Sequence, residues 1–162
     1  MTDARPWPEA VEARLGPLTL PAPDLEPRQF EAAHGHLWQW VGAGEPLLSL
    51  SAGVRRTQIG DARGVDGHLD WEVDQAVALL DPETATPAEL EVRVVPGARA
   101  AASAVLGGRR DGMHVRTGLL VTTDGSYMHV VRVVADAGHV QGPGIVQRVL
   151  DDVRVHRWEP PR

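Results

Sequence analysis

Four residues of the chain lie close enough in sequence to line one polar surface: Arg116, Thr122, Tyr127 and His129. They flank the run Thr122-Thr123-Asp124-Gly125-Ser126-Tyr127, in which an Asp-Gly pair separates two β-branched segments. That pair is the strongest short-range hairpin signal. A two-residue type I′ turn needs φ > 0 at both central positions, and Asp and Gly tolerate it. A hairpin centred on Asp124-Gly125 pairs Thr122 with Tyr127 and Leu120 with His129, and all four side chains then share a face. There His129 would act as an acid or base near neutral pH. No carboxylate is placed by sequence to orient it. The same residues also read as a half-buried strand with a hydrogen-bonded histidine.

Other residue sets were weighed as chemistry. His34 and His36 share a face if they lie on a strand, and could supply two metal ligands, with His68 or His129 as a third. No third ligand has motif spacing and there is no Cys, so neither metal nor cofactor is expected. Gly107-Gly108-Arg109-Arg110-Asp111-Gly112 has the look of a phosphate loop. It lacks the Gly-Lys-Ser/Thr ending and lies between strands, so it reads as a solvated loop. No Ser sits in a Gly-x-Ser-x-Gly elbow. Asp66, Asp70, Glu72 and Asp74 form a carboxylate cluster without the Gly-containing calcium loop, and read as the wet face of a helix. Trp38 and Trp40 share a strand face with His36. Exposed, they would anchor an interface; buried, they are core.

Composition narrows the field. The net charge is −6, from 16 basic and 22 acidic residues. That argues against binding nucleic-acid phosphates, which needs a basic field. There is no Lys and no Asn, which a G/C-rich coding sequence explains. No apolar run reaches membrane-spanning length, and Met1–Pro8 lacks the basic start and apolar core of a signal peptide. A cytoplasmic protein with no membrane role is expected.

The elements that must position these residues follow from pattern. Residues 1–17 read as a lead with a short helix over Glu9–Leu15. Leu18–Pro27 carries three prolines and reads as a surface arm, because Pro lacks the ladder donor. Gln29–Val41 and Pro46–Val54 form a hairpin. Leu69–Leu80 has the i, i+4, i+7 stripe of an amphipathic helix, with Asp66 as N-cap. Strands follow over Glu89–Val95, Pro96–Leu106, Met113–Thr123 and Ser126–Ala135. Pro143 opens a second helix carrying Ile145, Val149 and Leu150, and Arg154–Trp158 is a last strand. Both faces of the central hairpin are apolar in the middle, so cover is expected on both sides. The fold class is α+β: an antiparallel sheet of about six or seven strands flanked by helices, in one domain over 18–158 with a tail at 159–162.

This order resembles the PsbP-like fold, including the LpqN-like proteins of high-GC bacteria. The resemblance rests on Leu20-Pro21-Ala22-Pro23-Asp24-Leu25, the Trp-bearing hairpin Gly35–Leu50, the run Gly118–Val131, and the closing helix and strand Ile145–Val155. It implies an α/β/α sandwich used mainly as a binding scaffold. Relatives serve as a photosystem assembly factor, a Ran-releasing nuclear import factor and lipid-anchored surface proteins. They share a fold and not a reaction. The chain departs from the LpqN-like pattern in lacking a lipoprotein signal with its Cys. The expectation is a non-enzymatic protein-binding or scaffold module with a protein partner. The alternative is a small-molecule-binding domain or enzyme using the Arg116, Tyr127 and His129 face.

Overall fold

The computed structural model describes residues 10–32, 35–42, 44–57 and 64–159. The expected lead over Met1–Pro8, His34 and most of the 159–162 tail lie outside them. In chain order the elements are β1 (Val11–Leu15), β2 (Leu18–Ala22), β3 (Arg28–Ala32), β4 (Gly35–Val41), β5 (Leu47–Arg56), α1 (Gly64–Ala78), β6 (Glu89–Arg93), β7 (Ala100–Arg110), β8 (Met113–Thr123), β9 (Tyr127–Asp136), α2 (Gly142–Asp151) and β10 (Arg154–Val155). The fold is α+β. A seven-stranded antiparallel sheet runs β3-β4-β5-β9-β8-β7-β6, and a three-stranded one runs β1-β2-β10.

The two faces of the large sheet are buried by different partners, as the apolar middle of β8 and β9 requires. Leu120, Val131 and Val133 pack under α2 and the small sheet, which bring Ile145, Val149, Leu18 and Leu20. Leu119, Val121, Met128 and Val130 pack on the other face with Leu69 and Leu80. Helix α1 lies over β7 and β8. It leaves the β3-β4-β5 side of that face without a helix among the described residues, and the shelf so formed shapes the site below. No helix among the described residues is long and apolar enough to cross a membrane.

Three expectations are corrected. The short helix expected before Leu15 is strand β1. The expected proline-rich arm is β2, the middle strand of the small sheet, with every residue buried. Pro21 is tolerated because β10 reaches only Leu18 and Thr19. Beyond them β2 has β1 alone as a neighbour, so Pro21 sits in an effective edge position. The third correction concerns the turns. The type I′ pair lies at Asp111-Gly112, with φ of 51° and 80°, and β7 continues through Arg109 and Arg110 to meet it. At the other Asp-Gly pair the central residues are Gly125-Ser126. Asp124 stands one position earlier, its carboxylate accepting from the N–H groups of Ser126 and Tyr127, each at 2.8 Å. Asp is favoured at that first turn position for this reason. Thr122 therefore pairs with His129 and Leu120 with Val131. Each partner moves by two residues, not one, so the sharing of faces survives.

Candidate functional site

The sequence-selected residues do not assemble into one site. Trp38 and Trp40 are both buried, and the Trp40 indole N–H donates to the Leu25 carbonyl at 2.8 Å. They belong to the core beneath the small sheet and are not surface anchors. Tyr127 meets Trp158 edge-on at 5.4 Å, and Trp158 in turn meets His36 at 5.2 Å. His36 also stacks on Trp38 and lies 3.7 Å from Glu31.

His129 is fully enclosed. Its Nδ1 shares a hydrogen bond of 2.8 Å with the Thr122 hydroxyl, and its Nε2 has no partner among the described residues. Burial holds its pKa down at about 4, against a partial upward pull from Asp124. Arg116 shares that sheet face but sits six residues from Thr122 along β8, roughly 20 Å at strand rise. The space between is filled by α2: a Cβ on Gly118 would stand 2.7 Å from Val146 and 3.1 Å from Leu150. Arg116 lines a separate hollow of about 640 Å³ with His114 and Pro143. Among the described residues no three His, Asp or Glu side chains cluster as a metal site.

Charged groups converge instead on the opposite face, under α1. Glu72 is buried to 1 % exposure. The helix places it on the same side as Leu69 and Ala76. Strand alternation places Arg132 on the same face of β9 as Met128, Val130 and Val134. Arg132 meets Glu72 in a two-pronged pair, Nε donating to one carboxylate oxygen and Nη2 to the other. A buried carboxylate is costly unless paired in this way. His68, one helical turn earlier, brings Nε2 to 3.4 Å from Glu72. The Arg55 guanidinium donates to His68 Nδ1 at 3.3 Å and reaches the Met128 sulfur at 3.5 Å. A guanidinium only donates, so Nδ1 accepts and the His68 proton sits on Nε2, facing Glu72. The side chains Arg55, His68, Glu72 and Arg132 are thus linked in one polar chain.

Two hollows flank the Glu72–Arg132 pair. The larger, about 450 Å³, opens between Phe30 on β3 and Trp71 on α1, with Leu37, Met128 and Val130 in its walls. Phe30 and Trp71 remain 50 % and 52 % exposed. The smaller, about 290 Å³, lies beneath the second half of α1. By spacing alone Glu72 reads as part of a wet face and His68 as a candidate third metal ligand, while nothing in a local motif points to Arg55, Trp71 or Arg132. A signal existed: Arg132 is a charge set between Val130 and Val134 in the apolar middle of a strand face, and Glu72 falls within the apolar stripe of its helix. Each is the mark of a group needing a buried partner.

No family model matches the chain, and no curated protein matches it. Among solved structures, it resembles PA94 of Pseudomonas aeruginosa, a protein of unknown function assigned as a candidate regulator. The TM-score is 0.48 at 13 % identity, over 94 % of this chain and 97 % of that one. A protein of Bacteroides thetaiotaomicron gives a TM-score of 0.47 at 9 % identity over 87 % of this chain, which spans 46 % of that protein's length. Nothing about function is taken from either.

Proposed function

We propose that this is a non-enzymatic protein-binding module of the cytoplasm, a divergent PsbP-like domain, that takes an extended apolar segment of a partner protein into the cleft between Phe30 and Trp71. The observation that carries this reading is the half-bare sheet face. Helix α1 covers β7 and β8 and leaves a cleft of about 450 Å³ beside β3, whose outer edge has no strand neighbour among the described residues. An extended segment laid along such an edge gains backbone hydrogen bonds, and its alternate side chains drop into the apolar cleft. Phe30 and Trp71 both line the cleft and stay half exposed, and large aromatic side chains are the type that dominates binding energy. A binding role fits better than catalysis because His68 and Glu72 are held between two arginines and, among the described residues, no Ser, Thr, Tyr or Cys lines the cleft.

Selection of random peptides displayed on phage against the immobilised protein tests the reading. Enriched peptides carrying alternating apolar residues are expected. The double variant Phe30→Ala, Trp71→Ala should weaken their binding about tenfold or more in fluorescence polarisation. Failure to enrich any peptide, or equal affinity for the double variant, would overturn it.

A further inference from the structure

The smaller hollow, on the far side of the Glu72–Arg132 pair, has a different chemistry. Four neighbouring strands turn polar side chains into it. β5 contributes Ser49 and Ser51, β9 contributes Arg132, β8 contributes Thr117, and β7 ends there with Arg110. Helix α1 closes it with Gln75 and Ala76, and the turn that follows adds Leu79 and Leu80. The parity of strand alternation puts these residues on one face, since Ser51 pairs with Arg132 and Thr117 with Val134.

The charges do not cancel. Arg132 spends Nε and Nη2 on Glu72, leaving Nη1 uncommitted among the described residues. Arg110 has no hydrogen bond or ion pair among them, and neither do the side chains of Ser49, Ser51, Gln75 and Thr117. The site thus holds one net positive charge, in a protein whose net charge is −6, together with a set of unspent hydroxyl and amide groups. Beside them lie the apolar surfaces of Leu79, Leu80 and Val134. A volume of about 290 Å³ falls at the small end of ligand pockets, roughly 300–1,000 Å³.

We propose that this hollow is a binding site for a small monocarboxylate with an apolar body. The carboxylate would lie between Arg110 and Arg132 Nη1, with the body against Leu79 and Leu80. A single negative charge neutralises the site, and a guanidinium presents paired donors that match a carboxylate. A bare divalent anion would satisfy the cations but leave the apolar wall unused. The two hollows share Trp71, Glu72 and Arg132, but Arg110 lines the smaller and not the larger, and Phe30 the larger and not the smaller, so the two sites are tested separately.

Calorimetric titration of the full chain with sodium hexanoate and sodium phenylacetate tests this, with hexanamide, phenylacetamide and inorganic phosphate in parallel. One equivalent of at least one carboxylate should bind saturably. Its amide should bind about 10- to 100-fold more weakly, the loss expected when a charged hydrogen-bond partner is removed. Arg110→Gln should weaken the carboxylate by a similar factor while retaining the far-ultraviolet circular dichroism of the parent. Thr117→Val supplies a second, smaller loss if Arg110→Gln folds poorly. Arg154→Gln, on an exposed arginine outside the hollow, should change nothing. Absence of saturable binding by both carboxylates, undiminished binding in Arg110→Gln, or tighter binding of phosphate than of either carboxylate would each overturn the proposal.

Discussion

A lone buried histidine separates what residue spacing can say from what only packing can. The sequence placed His129 on a face with Thr122, and the two do share a hydrogen bond. Spacing could not show that this face is sealed by α2 and the small sheet, which removes His129 from any surface chemistry. The consequence is thermodynamic. The folded state holds the His129 pKa down at about 4, from 6.5, so the unfolded chain takes up the proton first as pH falls. Stability is therefore intact above about pH 6.5 and declines as pH drops toward 4, by about 2–3 kcal/mol at about pH 4.5. Urea unfolding of the parent and of His129→Gln at pH near 7 and near 4.5 checks the sign. Carboxylate titration affects both proteins, so the difference between their acid losses belongs to His129. Equal losses would show that it does not titrate as described. Glu72 teaches the complementary lesson. Its neighbours Asp70 and Asp74 are exposed, and charge alone grouped it with them; the angular position of residue 72 on the helix put it with Leu69 instead.

At the scale of elements, the pieces legible in sequence were those whose partners are near in the chain. The β8–β9 hairpin and α2 fall close to where period and turn chemistry put them. Helix α1 was legible as a helix but begins earlier, at Gly64. The misses have separate causes. β2 pairs with β10, more than a hundred residues away, and is buried under α2, while β1 pairs with β2 across a turn at Gly16-Pro17, so local proline content misled. Turn register slipped because Asp is acceptable both as a central residue and as the capping residue before the turn. Two valines measure the difference between period and packing. Val149 on α2 is fully buried, while Val77, which the periodic stripe of α1 includes, is 40 % exposed. Val149→Ala should cost about 1–3 kcal/mol through lost burial and a residual cavity. Val77→Ala should stay within about 0.5 kcal/mol of the parent. Denaturant midpoints of the two variants compare them directly, and a Val77→Ala loss as large as that of Val149→Ala would contradict the seating of α1.

At the scale of the molecule, the distribution of charge matters more than its sum. The sequence offers two compact basic spots, Arg55-Arg56 and Arg109-Arg110, which as adjacent pairs suggest a phosphate-binding surface. Strand geometry divides both, because successive side chains on a strand point to opposite faces. Arg55 turns into the cleft toward His68 while Arg56 stays outside. Arg109 turns to His114, donating at 3.2 Å, and Arg110 enters the smaller hollow. Meanwhile Asp66, Asp70 and Asp74 stand exposed along α1, repelling a polyanion from the face that holds the cleft. Trp71 is the exposed indole there. Stacking one base on it is worth about 1–3 kcal/mol, short of the roughly 4 kcal/mol that even a millimolar complex needs. With no contiguous basic field among the described residues to release counterions, neither single-stranded nor duplex probes should shift in a gel at physiological salt. A shift that persists at that salt and disappears in Arg56→Ala, Arg109→Ala would mean that the outward-facing arginines act together across the sheet, and that their separation by strand alternation is less complete than the fold requires.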